Sequence, residues 1–349
     1  MFSKYHSLRR RDSSFLISFM LLGASLASAQ LVPGSMDGHW NEGAPNCSSS
    51  SQPPIEVHQY AAKTFILREN LCSTFEAPFM YLLVGSNRAL LIDTGDVADP
   101  SKMPLAKTAL DLLPEAEPGK PASEKVRLLV VHTHHHLDHR AGDGQFTGMP
   151  NVQVIGVDLA VIRSYFNFVH WPEGIAQIDL GDRTVDVIPT PGHNDAEISF
   201  YDRNTGLFFS GDFLLPGRLL ISDKRADLAS AERVSAFVKD RPVSFVLGGH
   251  VEMNSQGELF PWGSQYHPAE HALALKKDDL LALPSAVRSF NGFYAVSGQF
   301  TMEDSIHILI AIAVLALGFV ITLVWLLVRY IRRRKNRKRA KQAFPGSTL

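Results

Sequence analysis

Between residues 79 and 250, apolar runs and polar breaks alternate in a way that predicts a mixed α/β domain. FMYLLV and ALLIDTG read as strands joined by the turn Gly85-Ser86-Asn87, and LAKTALDLL follows with helical spacing. RLLVVHTH is a buried strand, NVQVIGV another, and DLAVIRSYFNF a helix. RTVDVIPTPGH is a strand that ends in a histidine; ISFYD and GLFFSGD form a hairpin across Arg203-Asn204-Thr205. LASAERVSAFVKD is predicted helical, VSFVLGGH is the last buried strand, and a further helix is expected over Pro268 to Leu283. Residues 30–54, rich in Gly, Ser, Pro and Asn without periodicity, are expected to be a flexible lead-in, so the folded domain should begin near Ile55 and run to about residue 300.

The two ends of the chain follow other rules. Lys4 and Arg9 to Arg11 precede an apolar run from Phe15 to Leu26, and Ala27-Ser28-Ala29 supplies small residues for cleavage, so residues 1–29 read as an export signal. Ile308 to Val328 is apolar and uncharged throughout, long enough to cross a bilayer as one helix. The basic cluster from Arg329 to Lys341 then marks residues 329–349 as a cytoplasmic tail and places the domain on the exported side, periplasmic or extracellular.

Composition sharpens this picture in two respects. The formal net charge of −1 conceals a basic signal and a basic tail; without them the exported part stands near −13, which disfavours a nucleic-acid partner. Cys47 and Cys72 are the only cysteines, and both fall on the exported side, where a disulfide is permitted. Cys47 sits in the linker-like NCSSSSQPP, which leaves their pairing open. There is no P-loop, no G-x-G-x-x-G after a strand, no G-x-S-x-G and no repeat of solenoid or propeller period.

Several predicted strands end in a residue able to bind a metal: VVHTH, VIPTPGH, FFSGD and FVLGGH. Their ends are expected to meet. In VHTHHHLDHRAG, residues 131–142, His134 and His136 share a side of an extended backbone and His135 points away, so the first two can hold one metal. Asp138 and His139 lie around the next bend and can face a second. Neutral imidazoles with carboxylates suit zinc and similar ions. His132 lies deeper in an apolar strand and is expected to pack or hydrogen-bond; His135 is expected at the surface or behind the ligands.

THHHLDHRAG at residues 133–142, followed in order by TPGH, SGD and GGH and preceded by Asp93-Thr94-Gly95, resembles the motif set of the metallo-β-lactamase superfamily over roughly residues 60–255. The resemblance implies an αββα sandwich with a metal site at one edge of its sheets. It also implies that His134, His136 and His193 hold one divalent ion, that Asp138, His139 and His250 hold the other, and that Asp212 bridges both. Asp93 would steady the histidine loop or serve as a simple turn residue. Such a pair of ions, zinc foremost with iron or manganese as alternatives, lowers the pKa of a shared water towards neutrality, and Asp138 or Asp212 would orient it. A bridging Asp212 is typical of the glyoxalase II-like branch, which points to hydrolysis of a small ester, thioester or lactone rather than of β-lactams. HVEMNSQGELFPWGSQYHPAEH departs from that branch's pattern, which puts acylglutathione specificity in doubt. Trp262, Tyr266 and Tyr294 are candidates for the pocket wall, with core packing as the alternative for each. An iron oxygenase or phosphodiester hydrolase on the same fold, and a non-catalytic metal-binding sensor, are the other readings.

Overall fold

A computed structural model describes Met1, residues 30–114 and residues 126–343; the expected export signal lies outside the described residues. Two six-stranded mixed sheets form the frame. The first contains β1 (Ile55–Ala61), β2 (Thr64–Glu69), β3 (Phe79–Val84), β4 (Arg88–Ile92), β5 (Arg127–Val131) and β6 (Val152–Val154), in that spatial order. The second contains β7 (Ala176–Asp179), β8 (Thr184–Pro189), β9 (Ile198–Asp202), β10 (Leu207–Gly211), β12 (Phe245–Gly248) and β13 (Ala274–Leu275), ordered β13-β12-β10-β9-β8-β7. A third, small sheet is ordered β11 (Arg218–Leu220), β15 (Phe300–Glu303), β14 (Tyr294–Ser297).

Strand alternation explains the layering. In β3, Phe79, Tyr81 and Leu83 face Val187, Phe200 and Phe209 of the second sheet, whereas Met80, Leu82 and Val84 face the helix α1 (Leu105–Asp111). On the far side, Phe208 and Val246 pack against α3 (Lys224–Val238) and α4 (Lys277–Ser289) through Val234, Phe237, Leu280 and Leu283. Each central strand is therefore apolar on both faces, and the four layers are helix, sheet, sheet, helix. α2 (Leu159–Tyr165) adds Ile162 at the margin of the core between the sheets. The αββα sandwich implied by the sequence motifs is the fold observed.

Direction matters more than layering for the site. β4 and β5 are parallel, β10 and β12 are parallel, and β8 runs with β10 because each is antiparallel to β9. The loops that leave Ile92, Val131, Pro189, Gly211 and Gly248 thus emerge along one edge.

Two expectations are corrected. The helix expected over Pro268 to Leu283 begins only at Lys277 and continues through Pro284 to Ser289. Glu270 is drawn out of any helix by Arg68, with which it makes a buried two-point ion pair at 2.6 and 2.7 Å, and Leu273 and Leu275 extend to fill two different core clusters. The helix then starts where the Asp279 carboxylate accepts the Lys276 N–H.

Nor is the segment before Ile55 a loose lead-in. Val32 N–H donates to Asn204 O at 2.8 Å, Ser35 N–H to Tyr60 O at 3.0 Å, and the Trp40 ring stacks on His58. Cys47 and Cys72 form a disulfide. An irregular segment held by strand edges and a crosslink needs no apolar period, so its order left no trace in the pattern.

The last element, α5 (Ser305–Ala343), contains one stretch, Leu309–Arg339, long and apolar enough to cross a membrane, and none of that stretch is buried. It includes residues 309–328 of the expected span and runs on into the basic cluster from Arg329.

Candidate metal centre

The 132–139 loop leaves β5 and is fastened first at Asp93, a residue with φ of 65° in the turn after β4. Asp93 Oδ1 accepts the Thr133 N–H at 2.8 Å; Oδ2 accepts the Thr133 hydroxyl at 2.9 Å and the His139 Nδ1–H at 3.0 Å. Asp93 is therefore both turn residue and support for the loop. His132, buried, places Nε2 2.8 Å from Asp143 Oδ1, to which Thr94 also donates. His135 lies outside the donor cluster, its ring against the Asn194 amide at 2.9 Å.

The seven side chains singled out from the sequence converge at this edge in two groups. In the first, His134 Nε2 and His136 Nδ1 are 2.9 Å apart and His193 Nε2 is 3.0 Å from His136 Nδ1. In the second, Asp138 Oδ2 lies 3.2 Å from His139 Nε2 and 3.1 Å from His250 Nε2, and those two nitrogens are 3.2 Å apart. Asp212 stands between the groups. Its Oδ2 is 3.9 and 3.7 Å from the Nε2 atoms of His134 and His193; its Oδ1 is 3.5 and 3.7 Å from those of His139 and His250.

Three observations show that these residues fit metal ions. A metal–nitrogen bond of about 2.0–2.1 Å with tetrahedral angles sets donor atoms about 3.3 Å apart, close to the spacings found. The outer ring nitrogens are occupied: His193 Nδ1–H donates to Leu220 O at 2.9 Å, His250 Nδ1–H to Glu76 O at 2.8 Å, and His139 Nδ1–H to Asp93. With Nδ1 so engaged, the Nε2 atoms of His193, His250 and His139 are the ones turned into the cluster, where a cation can replace their protons. Finally, Asp212 Oδ1 is buried without a hydrogen-bond partner.

The electrostatics agree. Burial lowers His134 well below the usual histidine range and His136 to about 4, which keeps both neutral and free to donate a lone pair. In the second group burial opposes protonation of His139 and His250, yet Asp212, with Asp138, outweighs it and raises both, His250 to about 10. Burial likewise opposes ionisation of Asp138 and Asp212, but His139 holds both carboxylates well below the usual range. This pocket draws positive charge. Behind it Glu197, wholly buried, is pushed well above the usual range by burial and by Asp212.

Backbone packing leaves little tolerance. A Cβ on Gly249 would lie 2.5 Å from Asp212 Oδ1 and 2.7 Å from His139 Cε1, so the second glycine of GGH permits the two sheets to bring their donor residues together.

Leu137, between two donor residues, is 62% exposed; on the outer side of His250 a separate small cleft holds Phe75, Glu76 and Trp262, the last 57% exposed with the Arg218 guanidinium 4.6 Å from its ring centre. Of the proposed wall residues, Trp262 borders this cleft. Tyr266 instead faces the N-terminal segment through the Gly43–Tyr266 bridge, and Tyr294 lies on β14. None of the three is core. Sequence reasoning missed Thr133, Glu76 and Leu220; the last two act through main-chain carbonyls, which carry no residue signature, whereas Thr133 stood visible between two histidines.

Comparison with known proteins agrees with this geometry. The model of the metallo-β-lactamase superfamily matches residues 73–281, more than half of the chain. Human acyl-coenzyme A thioesterase MBLAC2 is 28% identical over 240 residues, 58% of this chain and 83% of its own. The hydroxyacylglutathione hydrolase of Aeromonas hydrophila is 28% identical over 234 residues, 63% of this chain and 82% of its own. A solved metallo-β-lactamase from Pontibacter korlensis, 20% identical, superposes with a TM-score of 0.43 over 66% of this chain and 99% of its own. The chain belongs to the metallo-β-lactamase superfamily and is a metal-dependent hydrolase.

Proposed function

We propose that this protein is a membrane-anchored hydrolase of acyl thioesters that works with two divalent ions, zinc foremost. The observation that carries this reading is Asp212, whose two oxygens face the two donor groups separately. His134, His136 and His193 would hold one ion, and Asp138, His139 and His250 the other. Ions so placed supply Lewis acidity, which brings the pKa of water towards neutrality and polarises a carbonyl. The chain itself does the rest. Asp212 fixes the separation of the two groups, and Asp93 and Thr133 hold the loop so that donor atoms need not reorganise. Asp138 keeps 21% of its side chain exposed and is the carboxylate placed to orient water and exchange a proton with the cleft.

An acyl group carried on a thiol is the substrate class that the names of the relatives support, and the exposed Leu137, between two donor residues, offers it apolar surface. The basic run after α5's apolar stretch supports a cytoplasmic tail and an exported domain, and the Cys47–Cys72 disulfide suits that side. The test is metal analysis of the purified full chain together with acyl-thioester hydrolysis. Two metal equivalents and turnover abolished by Asp212→Ala are expected. Less than one equivalent, or hydrolysis intact in the variant, overturns the reading.

A further inference from the structure

The small third sheet joins the membrane helix to the metal centre. Leu220, whose carbonyl holds His193 Nδ1–H, ends β11; β11 pairs in parallel with β15, Leu220 opposite Glu303. Ile221 N–H donates to Glu303 O at 2.8 Å, Thr301 N–H donates to Gly217 O at 2.8 Å, and Arg218 Nε is 3.7 Å from Glu303 Oε1. One residue separates β15 from α5. A strand spacing of about 4.8 Å, the bond to His193 and the width of its ring put the three-histidine group roughly 10 Å from β15. The turn from Ser305 to Leu309 adds about 6 Å, and a headgroup layer is about 5–7 Å thick. The path from the donor group through β15 and this turn to the hydrocarbon is therefore about 16 Å at most, on a sheet that passes directly into the span.

The other strand of the hairpin exposes the wrong kind of surface for water. Phe293 and Tyr294 are 49% and 48% exposed, side by side at the end of β14 nearest α5. Phe293 O accepts the Asp304 N–H at 3.1 Å, and its ring lies 6.1 Å from that of His307 in the first turn of the helix. At the far end of the apolar stretch stand Trp325 and Tyr330, also exposed, with Arg329 over the Trp325 ring. From His307 to those two residues the helix rises about 27–34 Å, the thickness of a hydrocarbon core. Two aromatic sites separated by that length match the two interfaces at which Trp and Tyr accumulate.

We infer that Phe293 and Tyr294, at the base of the β14–β15 hairpin, rest in the phospholipid headgroups. They orient the domain so that its metal centre receives amphiphilic thioesters, whose acyl chains reside in the bilayer, at the membrane surface. This rests on α5 crossing a membrane and on the thioesterase reading, and the experiment separates the three. The full chain with Tyr294→Cys is labelled with a thiol-reactive fluorophore and reconstituted in phosphatidylcholine vesicles that carry a headgroup nitroxide; Ser86→Cys, in the turn after β3 at the opposite edge of the sheet, is the control. Cys47 and Cys72 are tied in their disulfide, so each variant offers one free thiol. The label at 294 should be quenched several-fold more by the lipid nitroxide than the label at 86, and less by aqueous iodide. Equal quenching at the two positions overturns the inference, as does shielding of 294 from both quenchers, which signifies a second copy or another protein over the patch.

In a second arm, Phe293→Asp/Tyr294→Asp should leave hydrolysis of a short-chain, water-soluble thioester unchanged and slow that of a long-chain thioester in vesicles about tenfold. An equal effect on both substrates overturns it. Release of the chain from vesicles by alkaline carbonate removes the spanning helix and this inference with it. Absence of all thioester hydrolysis removes only the substrate, because the quenching contrast is read without turnover.

Discussion

Replacing Asp93 by Asn isolates what the support of the histidine loop contributes. The substitution keeps size and shape but turns one carboxylate oxygen into an NH₂ group. The Thr133 N–H must still meet an acceptor, so the amide oxygen takes the place of Oδ1 and the amide nitrogen faces the Thr133 hydroxyl and His139 Nδ1, where Oδ2 stood. Thr133 can reverse its hydroxyl and accept. His139 has no such freedom, because two N–H groups would meet at 3.0 Å. Its proton therefore moves to Nε2, the atom that faces Asp138 and His250, and closes the second group to a cation. Loss of an outer contact of this kind costs about 10–100-fold in metal affinity, roughly 1.4–2.7 kcal/mol. The first group depends on Asp93 only through Thr133 and should weaken far less. A competitive chelator titration that resolves two binding steps is the assay: one step shifts by one to two decades and the other by less than threefold. If both steps weaken equally, or neither does, the tautomer argument is wrong.

Asp212→Asn should lower thioester hydrolysis by roughly 10²–10⁴-fold while far-UV circular dichroism stays unchanged, because a neutral amide cannot serve both donor groups. Chelation should abolish turnover of the wild-type chain, and readdition of zinc, iron or manganese should show which ion restores it. Burial raises Glu69 to about 8 although the Val97 and Asp96 amides hold one of its oxygens, so the folded chain keeps a proton that the unfolded chain releases near pH 4.5. Stability should accordingly fall as pH rises from about 5 to 8, by a few kcal/mol at most; Tm measured across that window should decline, and Glu69→Gln should flatten the decline. Cys47→Ser opens a crosslink over 25 residues and should cost roughly 3 kcal/mol in denaturant unfolding; no loss in midpoint would show that the N-terminal segment is held by its hydrogen bonds alone.

The candidate metal centre was legible because its donor residues are side chains that must sit at strand ends, and strand ends are marked by the break of an apolar run. VVHTH, TPGH, SGD and GGH each place chemistry one to four residues beyond a buried strand. A reader of the pattern therefore finds the edge without knowing the strand order. The wall of the cleft obeys no such rule. Trp262, Phe75 and the carbonyl of Glu76 are brought together beside His250 by loops that Arg68–Glu270, Cys47–Cys72 and the His267 N–H to Glu42 O bond tie together across long stretches of sequence. Single long-range pairs leave no period to detect.

The same difference accounts for the misplaced helix before Lys277. Residues 268–283 carry acceptable helical spacing, and local propensity contributes at most a few tenths of a kcal/mol per residue. A buried Arg68 left without Glu270 costs several kcal/mol. The ion pair decides, and the chain stays extended as far as Leu275. On the proposed reading this tied wall, rather than the donor residues, sets substrate specificity, which should then vary among relatives that keep all seven donors. A chimera exchanging only residues 252–276 should change which acyl thioesters are cleaved while leaving metal stoichiometry untouched, and a change in stoichiometry instead would place the wall and the ligands in one cooperative unit.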